Sequence, residues 1–230
     1  MTQFDRPFDA VLFDLDGVLV DTEPWWDEVR VEFARAHDRP WGPDDQQAVM
    51  GGNSRQWAIT MQERLSLAHL SLAAIEDAVV SGVVGRYRTA AVLPLIDGAA
   101  DAVRRCAANL PVAIASSAHR AVIEAAVDAL GLHGVLGVIV SSDEVAGGKP
   151  DPAVYLRAAA LLGVAPGRCL VVEDSVNGVR AGVAAGATVA LIPNPSVPPA
   201  PGAHDAAHLL VDTIRNLDPL DPDAGGRRLR

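Results

Sequence analysis

The sequence predicts an α/β fold: a doubly wound parallel sheet core with an inserted α-helical cap domain. Three observations carry that prediction. Short β-rich apolar runs alternate with helical segments from Leu93 onward. One further run of the same kind stands alone near the start, separated from the rest by a long helical stretch, 22–92. Four of the strand ends carry polar, chemically suited groups.

The first strand is the run Ala10-Val11-Leu12-Phe13, followed by Asp14-Leu15-Asp16-Gly17. It is apolar, short and closed by a turn signal, as a buried strand should be. Side chains alternate along a strand, so Asp14 and Asp16 point the same way and Leu15 turns back to the core. Two carboxylates held side by side repel and need a cation or a shared proton to coexist. Such a pair suits a metal-assisted nucleophile and acid/base couple.

The stretch 22–92 is helical, broken at Pro40-Trp41-Gly42-Pro43 and at Met50-Gly51-Gly52-Asn53-Ser54-Arg55. Beyond it the strands are read at 112–116, 138–142, 169–174 and 188–192, with helices at 98–108, 119–130, 152–162 and 176–185. Right-handed crossovers place all strand C-termini on one edge. That edge receives Asp14 and Asp16, then Ser116-Ser117, then the loop of Lys149, then Glu173-Asp174. Segments 1–21 and 93–217 therefore form the core and 22–92 the cap. Residues 193–202 read as an extended proline-rich loop and 218–230 as a frayed, disordered tail.

Composition narrows the function. A formal net charge of −10 argues against nucleic acid and anionic membrane as partners. No run approaches the length of a membrane span, and no apolar stretch follows a basic start. Cys106 and Cys169 form no paired motif and read as reduced thiols of a cytoplasmic protein. Lys149 is the only lysine among 19 basic residues. It marks a place that requires a compact ammonium rather than a planar fork. Gly147-Gly148 before it and Pro150-Asp151-Pro152 after it make a rigid loop, with Pro152 placed to open a helix.

The segment Asp14-Leu15-Asp16-Gly17-Val18-Leu19-Val20-Asp21-Thr22 resembles the first motif of the haloacid dehalogenase superfamily. Ser116, Lys149 and Glu173-Asp174 resemble its second, third and fourth motifs, and the inserted helices resemble the cap of the β-phosphoglucomutase-like phosphatases. The resemblance implies an Mg²⁺-dependent phosphatase acting on a small phosphomonoester, a sugar phosphate above all. In it Asp14 is the nucleophile that forms an aspartyl-phosphate and Asp16 the acid and base. Asp14, Glu173 and Asp174, with the backbone carbonyl of Asp16, hold Mg²⁺. Lys149 neutralises charge, and Ser116 with the amides around Ser117 and Ala118 donates to phosphate oxygens. Asn53 and Arg55 of the cap loop reach the substrate, and Trp26 either packs the cap or roofs the site. Its partners are a small phosphorylated metabolite and at most a weak homo-oligomer.

Two departures separate the chain from β-phosphoglucomutases. Trp26 stands where they carry a histidine, and the cap has no lysine. Simple hydrolysis is favoured, with phosphosugar mutation as the alternative and a non-catalytic phosphate-binding protein as a third reading. Dehalogenation is disfavoured, because halide release needs no leaving-group proton and so no Asp16. Asp21 and Thr22 read as hinge and cap signals. His119 reads as a helix start, and His204 and His208 as one face of a surface helix.

Overall fold

A computed structural model describes residues 7–50, 52–194, 202–221 and 226–229. The core sheet has seven strands among these residues: β1 (Ala10–Phe13), β2 (Val112–Ser116), β3 (Val138–Ser141), β4 (Cys169–Glu173), β5 (Thr188–Leu191), β6 (Leu209–Leu210) and β7 (Arg227–Arg228). Their order is β3-β2-β1-β4-β5-β6-β7, parallel except for the last pair. The order reverses beside β1, so β1 and its neighbours open the crevice where doubly wound sheets bind ligands.

The apolar alternation sorts the strands onto two faces. Val11 and Phe13 of β1, Val112 and Ile114 of β2, and Leu170 and Val172 of β4 join one buried cluster. That cluster also takes in α5 (Ala99–Ala107), α6 (Arg120–Leu130) and the cap. Ala10, Leu12, Ala113, Ala115, Cys169 and Val171 face the other way, onto α7 (Ala153–Leu162) and α8 (Val176–Ala184). Alanines on both sides of that second contact let α7 lie close to the sheet. Phe13 is fully buried, and truncating such a ring to alanine costs about 3–5 kcal/mol.

The inserted helices are α1 (Glu23–Ala36), α2 (Pro43–Val49), α3 (Ser54–Arg64) and α4 (Leu72–Thr89). Helix α1 buries Trp26, Val29, Arg30, Phe33 and Ala34, the spacing of one helical face. It packs on α4, where Gly82 leaves room for the Val29 side chain. Asn53 caps α3 by accepting from Gln56 N, and Gln56 Oε1 accepts in return from Asn53 N. The two connections to the core run side by side: Asp21 N donates to Pro94 O at 2.8 Å and Ile96 N to Leu19 O at 3.0 Å.

The C-terminal region departs from expectation. A final helix, α9 (Ala203–Ala206), is followed by β6, and Arg227–Arg228 pairs antiparallel with it rather than fraying. Two-residue strands are too short for an alternation to show in sequence. His208 falls beyond α9 and accepts from Val189 N through Nδ1, so it does not share a helix face with His204. The expected loop at 193–202 lies mostly outside the described residues, as do 222–225 and 230 of the tail. Cys106 and Cys169 are free and buried, and no described helix is long and apolar enough to cross a membrane.

Candidate active site

Strand register sets the site. Phe13 pairs with Val172 on one side and with Ile114 on the other, so Asp14 emerges level with Glu173, and Ser116 ends the adjacent strand. Asp14 N donates to Val172 O at 2.9 Å, which fixes the backbone at the start of the loop. Gly17 turns the chain with φ +81°, a conformation few side chains tolerate. A Cβ there would also collide with the Asp174 carboxylate. The glycine after the two aspartates is thus required twice, for the turn and for Asp174.

Lys149 is buried and donates to Asp14 Oδ1 at 2.7 Å and to Glu173 Oε1 at 2.7 Å. Its Nζ also lies 4.9 Å from the centroid of the Tyr155 ring. Tyr155 completes the arrangement by donating its hydroxyl to Glu173 Oε1 at 2.7 Å. The second oxygen, Oε2, accepts from Asp174 N, Ser175 N and Ser175 Oγ at 3.0–3.1 Å. Ser175 Oγ in turn accepts from Gly178 N and caps α8. The Lys149–Pro150 peptide is cis.

Asp14, Glu173 and Asp174 offer ligand oxygens within 4.8 Å of one another. Three carboxylates face one ammonium, a surplus of negative charge in a buried place, and hard oxygen donors suit a cation such as Mg²⁺. The residues therefore fit the expected metal. The Asp16 side chain does not join the three; its Oδ1 accepts from the Thr22 hydroxyl. Any share it takes in holding a metal falls to its backbone carbonyl.

The electrostatics follow the burial. Burial pushes the Asp14 carboxyl up to about 7, with Lys149 pulling it down and Glu173 and Asp16 adding to the rise. Asp174 is raised well above the ordinary range by burial and by Glu173 and Asp14. Burial also raises Asp16, against the Thr22 hydrogen bond and the charges of Lys149 and Arg30. Glu173 behaves oppositely. Burial would raise it, but Lys149, Tyr155 and the Ser175 amide together hold it below the usual range. Lys149 stays charged, because Asp14 and Glu173 outweigh the burial that would discharge it.

Ser116 is buried at the end of β2, where its Oγ accepts from Ala118 N at 3.0 Å. That bond occupies the Ala118 amide expected to face a phosphate, while the Ser116 hydroxyl keeps its own proton to donate. Ser117 follows it, half-buried. His119 caps α6, its Nδ1 accepting from Ala121 N. In the cap, Asn53 and Gln56 approach Gly148, next to Lys149. Asp143 of the core accepts from Ser54 N of α3 through Oδ1 at 3.1 Å. A cavity of about 460 Å³ opens between these parts, lined by Met50, Gly52, Gln56 and Thr60 of the cap and Lys149 and Asn177 of the core.

Arg55 is exposed on α3, where its charge acts on Glu76. Trp26 is buried against Trp57, ring centroids 6.1 Å apart, with Arg30 over it. Sequence reasoning missed Tyr155 and Ser175, and gave Thr22 only a supporting part. Only Ser175 carried a readable signal, a helix cap immediately after Glu173-Asp174.

The sequence model of the haloacid dehalogenase-like hydrolases matches residues 8–186. The chain belongs to that family. It is 34% identical over 194 residues to hexitol phosphatase A of Escherichia coli, covering 82% of this chain and 84% of the relative. It is 31% identical over 184 residues to a phosphorylated carbohydrates phosphatase of Thermotoga maritima, covering 77% and 82%. Among solved structures, mutant CbbY of Rhodobacter sphaeroides in complex with xylulose-1,5-bisphosphate aligns with a TM-score of 0.78. That alignment has 26% identity and covers 93% of this chain and 99% of that one. This haloacid dehalogenase-like chain is accordingly an enzyme, a hydrolase, and its relatives from Escherichia coli and Thermotoga maritima are phosphatases by name.

Proposed function

We propose that the protein is an Mg²⁺-dependent phosphatase that hydrolyses a sugar phosphate, or a closely similar small phosphomonoester, through an aspartyl-phosphate. The observation that carries this reading is the buried Lys149 ammonium 2.7 Å from Asp14 within a cluster of three carboxylates. A carboxylate so crowded is neutralised on one side and open to an anionic substrate. Mg²⁺ held by Asp14, Glu173, Asp174 and the Asp16 carbonyl would supply the remaining positive charge against the phosphate.

The chain's own groups account for the rest. Asp14 attacks phosphorus as the bond to the leaving oxygen breaks, and Asp16 gives that oxygen its proton. A carboxyl whose pKa burial has raised holds a proton where an ordinary aspartate would not. Asp16 then takes a proton from water, which attacks phosphorus and frees Asp14. Lys149 holds the nucleophile in place, and Glu173 with Tyr155 holds Lys149. Ser116, with Ser117 beside it, donates to the phosphoryl oxygens. Asn53 borders the substrate at the Lys149 loop, while Arg55 reaches it only on further closure of the cap.

Trp26 in place of a histidine and a cap without lysine favour hydrolysis over phosphosugar mutation. The substrate is drawn from the metabolites of the cytoplasm. A screen of phosphorylated metabolites with Mg²⁺, reading released phosphate, tests the proposal. Release from none of them contradicts it. Conversion of β-glucose 1-phosphate with catalytic bisphosphate to glucose 6-phosphate, without free phosphate, would establish the mutase instead.

A further inference from the structure

Cap and core enclose a second cavity, which shares no residue with the carboxylate cluster or with the cavity at Lys149. It has about 460 Å³ and lies between α4 of the cap and α6 of the core, beside the connection at Leu93. The core wall carries Ala121, Ala125 and Ala129, every fourth position of α6 and therefore one face of it. Their lack of bulk keeps the space between the two helices open. Val84, Tyr87 and Arg88 make the cap wall.

The charges at this cleft are unmet. Arg88 on the cap wall and Glu124 on the core wall are both exposed, no ion pair joins them, and neither side chain has a partner among the described residues. Asp128, one turn after Glu124, is engaged by His133, which leaves Glu124 as the open acid of the core wall. The Tyr87 ring is held edge-on by Trp25, centroids 5.1 Å apart, and its hydroxyl is buried without a hydrogen-bond partner among the described residues.

Ligand cavities favour the joints between domains and combine apolar walls with a few placed polar groups. A ligand with a single charge would satisfy one wall here and meet the like charge of the other. A zwitterion satisfies both, its carboxylate accepting from the Arg88 fork and its ammonium donating to Glu124. The alanines, Val84, Leu93 and the Tyr87 ring receive an apolar side chain.

We propose that this cleft is a second ligand site, which takes an apolar α-amino acid and through it ties the cap to the core. Binding there is independent of the phosphatase reading. Within that reading, it restrains the cap movement that admits substrate.

Calorimetric titration of the full chain with L-phenylalanine tests the site. Phenethylamine lacks the carboxylate and 3-phenylpropanoate lacks the ammonium, while both keep the ring. L-Phenylalanine is expected to bind with a Kd at or below about 3 mM, as suits a ligand of its size. Each analogue should bind about tenfold more weakly, and so should L-phenylalanine to Arg88→Gln or Glu124→Gln. Both side chains are exposed, so these variants should fold as the wild type does. Ala125→Leu fills the cleft from the core wall and should abolish the heat. At ten times Kd, hydrogen exchange at the Asp21 and Ile96 amides, which bridge the two connections, should slow about tenfold. No heat up to about 10 mM, or equal binding by the analogues or the charge variants, overturns the site. Unchanged affinity in a folded Ala125→Leu places the ligand elsewhere and overturns it too. Binding without slower exchange at those two amides overturns the tie between cap and core.

Discussion

Lys149 Nζ donates to Asp14 Oδ1 at 2.7 Å across 135 residues of chain. The same nitrogen reaches Glu173 at the same distance, above the Tyr155 ring. One point charge thus serves two carboxylates and a π face. An arginine keeps the charge but brings a wider planar group into a space with no slack. We expect Lys149→Arg to lower kcat by about a hundredfold or more, with far-ultraviolet circular dichroism unchanged. Near-normal turnover would remove the steric argument.

Asp14→Asn keeps the shape of the side chain and removes the nucleophile. Turnover should fall below about a hundredth of wild type, and beryllium fluoride should no longer protect the enzyme. A variant retaining more than that would argue that Asp14 does not bond to phosphorus.

Burial lifts Asp14 to about 7 and Asp174 well above its ordinary range. Metal capture requires both as carboxylates, so protons must leave as the ion enters. A raised carboxyl pKa means that the Asp14 proton is held below about pH 7, and affinity is therefore weaker there. The apparent Kd for Mg²⁺ should fall as pH rises, about tenfold per pH unit for each proton released, the Asp14 proton being lost near pH 7. Calorimetry in buffers of different ionisation enthalpy counts the protons; a pH-independent affinity would contradict the assignment.

Gly178 faces Glu173 so closely that a Cβ would overlap the carboxylate. Gly178→Ala should cost about 1–3 kcal/mol of stability. It should also depress kcat, since Glu173 holds Lys149. Thermal melting and turnover read the two effects separately, and an unperturbed Gly178→Ala enzyme would show that Glu173 is free to shift.

Asp143 joins core to cap by accepting from Ser54 N at the start of α3. Its loss should raise KM for a sugar phosphate about fivefold, the worth of a typical helix-terminal acceptor. Asp143→Asn, which retains an acceptor, should recover most of the loss. Equal effects of Ala and Asn would assign the contribution to charge instead.

The core was legible where a periodic pattern and a strand end coincided. Asp14, Ser116 and Glu173 each close an apolar run and Lys149 lies in the loop after another, and the parallel order of the sheet brings those ends together without further information. The residues that escaped notice sit on helices with other duties. Tyr155 lies on a helix face that reads as core, and becomes significant only when α7 is laid under Glu173. Arg30 occupies a position of α1 where an arginine ordinarily belongs to a solvated face. That it points inward follows from its place on the face of Trp26, Val29 and Phe33, and Trp57 of α3 completes its surroundings. Arg55 shows the converse, since an arginine in a suggestive loop lies exposed because Asn53 and Gln56 take the inner side of the cap.

Strand β7 lays two exposed arginines along β6 at the margin of the sheet. A margin left bare offers a row of free amides and carbonyls to any passing chain, and a cationic hem discourages that company. Clipping the protein after Asp221 would strip this hem and leave Leu209–Leu210 as the selvedge. The shortened protein should then self-associate in proportion to its concentration while its catalytic rim, several strands away, stays whole.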